Sequence, residues 1–221
     1  DWPSVREDRV VRDFAQYCEK PVINMESVRR HPCQQLADAM TLRERLGNPG
    51  GKRFVLLWGW HPKALPTAVP ASAALAAAHL GMEIVIARPD GYELDPEDTA
   101  LVRRIAQARG GEFVHIMNDP DEAVVGADAV YVKSWGAIKY FGQPEAEAEF
   151  RAGLRDWRLT AQRLKSTRQG RATVMHCLPV RRNVEIDDAV LDGPSSAVVD
   201  QAENRLHVQR ALLLNLLGEL R

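Results

Sequence analysis

Apolar positions along this chain alternate between two periods. An unbroken apolar run of strand length occurs at Phe54-Val55-Leu56-Leu57-Trp58, and further strands are predicted at Glu83-Ile84-Val85-Ile86-Ala87, Glu112 to Ile116, Ala129-Val130-Tyr131-Val132 and Thr173-Val174-Met175. A run that is apolar at every position suits a strand buried on both faces of a parallel sheet. Between these runs the period becomes helical. Helices are predicted over Pro32 to Leu46, with Pro in the first turn and Gly47 as the stop, and over Thr67 to Leu80, stopped by Gly81. Two more are predicted over Pro96 to Arg109 and Pro120 to Val125. Upstream, Ser4 to Cys18 has helical periodicity with Ser4 as its N-cap, and Val22-Ile23-Asn24 reads as a short strand. Asn204 to Leu217 predicts a closing amphipathic helix stopped by Gly218. Its apolar positions Leu206, Val208, Leu212, Leu213, Leu216 and Leu217 need a cover. The strand–helix rhythm is that of an α/β protein with a doubly wound parallel sheet.

In such a sheet, ligands bind beyond the carboxyl ends of the strands. That edge receives Trp58-Gly59-Trp60-His61-Pro62-Lys63, Arg88-Pro89-Asp90, Lys133-Ser134-Trp135-Gly136 and His176-Cys177-Leu178-Pro179. Aromatic, cationic and thiol groups are therefore expected on one side of the molecule. The glycines at 47, 50 and 51 do not make a G-x-G-x-x-G fingerprint, which argues against a dinucleotide-dependent oxidoreductase.

Charge and cysteine usage narrow the partners. Among 221 residues, 29 Lys and Arg balance 30 Asp and Glu, so no net field attracts nucleic acid or a membrane surface. The basic stretch from Arg151 to Arg171 reads as a solvated helical face with a loop. No apolar run approaches the ~18–20 residues that a bilayer span needs. The opening residues Asp1-Trp2-Pro3-Ser4 lack the features of a signal peptide. Cys18, Cys33 and Cys177 are widely spaced, so reduced thiols, no metal site, no cofactor and a cytoplasmic setting are expected.

Three short motifs carry the chemistry: His31-Pro32-Cys33-Gln34, His176-Cys177-Leu178-Pro179 and Ala202-Glu203-Asn204-Arg205. In this order the chain resembles the aspartate/ornithine carbamoyltransferase family, in particular the members that act on ornithine and its derivatives. The resemblance runs along the whole chain but covers only the later part of a family member. The family's phosphate-binding Ser-x-Arg-Thr-Arg segment is not in this sequence. The resemblance implies a remnant of the carbamoyl-phosphate-binding domain over 1–34, an amino-acid-binding domain over 35–185, and a segment over 186–221 that returns to the first domain. It also implies small-molecule substrates and a homotrimer.

Carbamoyl transfer needs donors for the carbamoyl oxygen, a positioned neutral amine and a neutralised phosphate. The resemblance assigns His31 to the carbamoyl oxygen and Gln34 to the carbamoyl amide. Their spacing at a helix start puts both on one face. It also brings Arg205 to the oxygen, has Cys177 orient the amine, and has the Leu178 carbonyl accept from an N–H. Covalent catalysis by Cys177 is not expected, because His176 should face the other side of the sheet.

The substrate-binding set expected from the resemblance is Glu26, His61, Lys133, Leu178 and Arg181. Family members that use free L-ornithine present an Asp to its α-ammonium, whereas this chain has Lys133-Ser134-Trp135-Gly136. A lysine there would repel a cationic amine and pair a carboxylate. The departure resembles the N-acylornithine branch, acting on N-acetyl- or N-succinyl-L-ornithine. Glu185 stands either as a crevice carboxylate or as an exposed helix-start residue. A plain L-ornithine enzyme and a non-catalytic amino-acid-binding module remain open alternatives.

Overall fold

The computed structural model describes residues 2–110 and 114–218. The strands β1 (Arg53–Trp58), β2 (Glu83–Ala87), β3 (Val114–Met117), β4 (Ala129–Lys133) and β5 (Thr173–Met175) form one parallel sheet in the order β3-β2-β1-β4-β5. This is the doubly wound sheet that the apolar runs imply. The predicted start of β3 at Glu112 lies outside the described residues. Winding reverses between β1 and β4, where Phe54 pairs with Ala129 and Trp58 with Lys133. A ligand crevice opens at such a reversal.

Helices α1 (Trp2–Val5), α2 (Arg9–Tyr17) and α3 (Pro32–Leu46) precede the sheet. Helices α4 (Ala68–His79), α5 (Pro96–Ala108) and α6 (Pro120–Ala123) follow β1, β2 and β3. Helices α7 (Pro144–Arg151) and α8 (Ala161–Ser166) lie between β4 and β5, and α9 (Asp188–Leu191) and α10 (Val198–Leu216) close the chain. Phe54 to Trp58, Ile84, Val85 and Val130 to Val132 are fully buried, as expected where helices cover both faces. Each large side chain so buried stabilises the fold by about 1.5–3 kcal/mol. Helix α4 is buried from Ala68 to Ala78 and packs against α3, α5 and the sheet at once. Its alanines make that approach possible. They also bring Ser72, fully buried, against the start of α3.

Several expectations need correction. The predicted helix over Ser4 to Cys18 is two helices, with Ser4 inside α1 and a break ending at Asp8 (φ 53°). Val22-Ile23-Asn24 pairs with nothing and is not a strand. The last helix begins at Val198, six residues before the predicted Asn204. It packs along α3, yet Leu206, Leu213, Leu216 and Leu217 stay exposed. Trp58 and Trp135, expected at the crevice, are fully buried, with Trp58 Nε1 donating to the Trp135 carbonyl at 3.0 Å.

The basic stretch from Arg151 to Arg171 is solvated at Arg155, Lys165, Arg168 and Arg171, as expected, but Arg163 is buried and Arg151 is only 2 % exposed. Its guanidinium pairs with buried Glu147 and donates to the carbonyls of His61 (3.0 Å), Lys63 (2.9 Å) and Trp135 (3.3 Å). It also lies over the Trp58 and Tyr92 rings, at 5.4 and 5.3 Å from their centroids. One cation thereby ties together the loops leaving β1 and β4. Arg151→Met would remove the only cation paired with the buried Glu147 carboxylate among the described residues and a donor to three loop carbonyls. It should cost about 3–5 kcal/mol, the usual result of removing one partner of a buried pair. Denaturant unfolding measures this, and a loss below 1 kcal/mol would show that the pair carries little of the fold.

Candidate active site

Helix α3 begins at the crevice because Pro32 occupies its first turn, where a missing N–H costs nothing. His31 immediately precedes it, and its backbone N–H donates to Ser72 Oγ at 2.9 Å. The imidazole is buried, and its Nδ1 has no protein partner. Burial, then the nearby Arg205 cation, hold its pKa below the ordinary histidine value, against the opposing influence of Glu26. His31 is therefore a neutral ring at neutral pH, with a single N–H to donate.

Gln34 and Arg205 meet across the seam between α3 and α10. Arg205 Nη1 donates to Gln34 Oε1 at 2.7 Å, and Gln34 Nε2 donates to Asp38 Oδ1 at 2.8 Å. Gln201 Nε2 donates to the same Asp38 oxygen at 2.6 Å, while Gln201 Oε1 accepts from the His176 N–H at 2.9 Å. Farther along, Asn204 Nδ2 donates to Thr41 Oγ1 at 2.9 Å and to Glu44 Oε2 at 2.7 Å.

The opposite wall comes from the ends of β4 and β5. Lys133, buried, ends β4 beside the point where β1 turns away. Gly59 makes that turn possible, since a Cβ there would meet Val132 Cγ1 at 2.9 Å. After β5, the chain turns through Cys177 and Leu178, which sits at φ 55° before a cis Leu178–Pro179 bond. Positive φ is rare for leucine and concentrates where a backbone group must be aimed. His176 sets the turn, as its Nδ1 accepts from the Leu178 N–H at 2.9 Å. Its Nε2 then carries the proton toward Glu185 Oε1 at 3.3 Å. Both ring nitrogens of His176 are thus engaged, and it does not line the small cavity. Burial lowers its pKa, more than Glu185 raises it.

Glu185 is the buried carboxylate of the two readings left open for it, being 1 % exposed. Its Oε2 accepts from the Arg181 N–H at 2.9 Å. Burial would raise its pKa, but His176, that N–H and the Lys133 cation together draw it below the usual value. Cys177 is different. Burial pushes its thiol up to about 11, more than Lys133 can offset.

A cavity of about 220 Å³ is lined by His31, Gln34 and Arg205 on one side, Lys133, Cys177, Leu178 and Pro179 on the other, and Glu26, Leu65, Pro66 and Val69. Glu26 is exposed, and it also lines a larger, mostly apolar cavity of about 740 Å³ next to the first. Two of the expected substrate-binding residues do not line the small cavity. Arg181 Nε donates to His61 Nε2 at 2.9 Å, which leaves the His61 proton on Nδ1, facing the Lys63 carbonyl at 2.9 Å. That pair lies within electrostatic reach of Lys133 and Glu185. Sequence reasoning missed Asp38 and Gln201. The available signal was spacing: Gln34 and Asp38 on one helix, Gln201 and Arg205 on another, each four apart. Among the described residues, no group of three or more His, Cys, Asp or Glu could hold a metal ion. No described helix is long and apolar enough to cross a membrane.

The family model for the aspartate/ornithine carbamoyltransferase Asp/Orn-binding domain matches residues 66–216, and that for the carbamoyl-phosphate-binding domain matches residues 2–44. The chain belongs to the aspartate/ornithine carbamoyltransferase family. It is 42 % identical over its full length to an N-acetylornithine carbamoyltransferase of Xanthomonas campestris pv. campestris, of which it spans 65 %. It is also 42 % identical, over 94 % of its length, to an ornithine carbamoyltransferase of Methanoculleus marisnigri, of which it spans 62 %. A crystal structure of acetylornithine transcarbamylase complexed with acetylcitrulline superposes with a TM-score of 0.94 at 42 % identity, covering 98 % of this chain and 64 % of that one. A variant of N-acetyl-L-ornithine transcarbamylase complexed with carbamyl phosphate and N-succinyl-L-norvaline gives the same score. The chain thus spans about two-thirds of the length of the relatives it matches. Identity alone does not choose between the acylated and the free amino acid as substrate.

The thiol provides a direct check of the site's electrostatics. With its pKa near 11, about one Cys177 in 10³ is a thiolate at pH 8. In a Cys18→Ser background, which removes the exposed cysteine, alkylation at neutral pH should be slow and should climb toward pH 11. Fast labelling that levels off below pH 8 would show an activated thiolate instead.

Proposed function

We propose that this chain supplies the amino-acid site and part of the carbamoyl site of an enzyme that carbamoylates the δ-amine of N-acetyl- or N-succinyl-L-ornithine, giving N-acylcitrulline and phosphate. The carrying observation is that His31, Gln34 and Arg205 line the same small cavity as Lys133, Cys177 and Leu178. The Arg205–Gln34 pair presents a donor beside an acceptor, and a carbamoyl group presents the complementary oxygen and NH₂. Inserted between them, its oxygen takes donors from Arg205 and His31, and its NH₂ donates to Gln34 Oε1. Those donors then face the oxyanion that forms when the amine attacks. Across the cavity the Leu178 carbonyl accepts from the amine, beside a neutral Cys177 thiol that orients it without bonding to it. The His61–Arg181 pair lies within electrostatic reach of Lys133, outside the small cavity.

Lys133 supports the choice of an acylated substrate. An α-nitrogen that is acylated carries no charge and leaves a carboxylate for the lysine to pair. Free ornithine brings an ammonium instead. Two like charges ~4 Å apart at an effective dielectric of ~20 repel by about 4 kcal/mol, and even half of that is more than tenfold in kcat/KM. Exposed Glu26 is the observation favouring the alternative, L-ornithine carbamoyltransferase, since it could receive that ammonium. A cytoplasmic homotrimer is the setting that goes with either reading.

Steady-state kinetics of the whole protein tests this reading. N-Acyl-L-ornithine should be carbamoylated more than tenfold better than L-ornithine, and comparable kcat/KM for the two would install the ornithine reading. His31→Ala should lower turnover by about 3 kcal/mol, roughly 100-fold, as for other oxyanion donors. Unchanged turnover would remove His31 from the carbamoyl site.

A further inference from the structure

Asp38 is a buried carboxylate to which the proposed chemistry gives no role. It is 1 % exposed, and one of its oxygens accepts from two side-chain amides, Gln34 at 2.8 Å and Gln201 at 2.6 Å. A glutamine amide can be turned either way at little intrinsic cost, exchanging its donor end for its acceptor end. Against Asp38 Oδ1 only the NH₂ end is acceptable. Each carbonyl end is therefore aimed away from Asp38: Gln34 Oε1 at Arg205, and Gln201 Oε1 at the His176 N–H beside Cys177. If either glutamine turned over, NH₂ would face a donor and a carbonyl would face Oδ1, and both contacts would be lost at buried groups.

We propose that Asp38 is a positioning residue that sets the direction of the Gln34 and Gln201 amides, and so points an acceptor into the carbamoyl site and fixes the strand end that carries Cys177. The proposal rests on the carbamoyltransferase reading for its catalytic consequence, but not for its structural content. Asp38 Oδ2 and the Tyr131 hydroxyl are buried beside each other, and Asp38 also feels Arg205 and Cys177. Burial pushes the Asp38 carboxyl up to about 7, more than its amide partners draw it down. A proton on Oδ2 leaves Oδ1 free to accept, so the arrangement survives either protonation state.

Two variants separate positioning from charge. Asp38→Asn can keep a carbonyl oxygen at the Oδ1 position, and Asp38→Leu cannot. The readouts are the side-chain NH₂ resonances of Gln34 and Gln201 in isotope-labelled protein, and kcat and KM in the whole protein. In wild type and Asp38→Asn the NH₂ protons should exchange slowly with solvent and keep distinct shifts. In Asp38→Leu they should exchange rapidly. Turnover of Asp38→Leu should fall on the order of 10- to 100-fold, as when the outer partner of a ligand side chain is removed. The KM for the amino acid should change little, and Asp38→Asn should restore most of the rate. Protected NH₂ groups in a folded Asp38→Leu would overturn the proposal. An Asp38→Asn variant as impaired as Asp38→Leu would also overturn it, because charge and not acceptor position would then matter. If wild type transfers no carbamoyl group, the function proposed above fails, and the exchange data still decide the role of Asp38.

Discussion

The seam between α3 and α10 is the interaction on which the site depends. Neither helix is strongly amphipathic where they meet. They are joined by a polar row comprising Gln34 with Arg205, Asp38 with Gln201, and Thr41 and Glu44 with Asn204. Polar groups buried together are worth little net stability, yet each is costly to leave unpaired. A seam of this kind therefore selects one register more than it adds strength. One helical turn of slippage would break every pair in the row at once. Because α10 also reaches the end of β5 through Gln201, the register of two helices becomes the position of the turn at Cys177.

A second buried polar centre does the same for the other wall. Arg151 gathers carbonyls from the loops after β1 and β4 while stacking on Trp58 and Tyr92. Loops at the switch point of a wound sheet need freedom to carry function and also need fixed positions. A guanidinium meets both needs, since its two terminal nitrogens can donate to several loop carbonyls at once. The two centres use opposite signs, a carboxylate under the helices and a cation under the loops.

Much of this was legible in the sequence, and the failures have physical reasons. Apolar runs located the sheet because burial on both faces leaves no alternation to misread. His31, Gln34, Arg205, Cys177 and Leu178 were legible as motifs, and the fold brings them to one cavity. Asp38 and Arg151 were not, because charged residues are almost always exposed and composition cannot say which one is paired inside. The start of α10 was missed because Ala197 offers no capping side chain. That error left Gln201 outside the helix and hid its alignment with Arg205. The Trp residues misled in the opposite direction. Clustered at strand ends they looked like a ligand surface, but Trp58 and Trp135 fill the core and hydrogen-bond to the backbone.

The charge arrangement around Lys133 links the fold to substrate choice. A buried cation is tolerable only when something compensates it. Here the compensation is Glu185, which is drawn toward its ionised form and anchored by His176 and the Arg181 N–H. Those anchors belong to the same turn that aims Leu178, so Glu185 cannot move toward the cavity without disturbing the turn. Lys133 lines the cavity, whereas its Glu185 counter-charge does not. In the reading proposed above, a carboxylate without a neighbouring ammonium pairs that lysine. A zwitterionic α-carbon brings both signs together, and its ammonium offsets much of what its carboxylate contributes. In that reading, removing the substrate's positive charge is what favours the acylated amino acid beside Lys133.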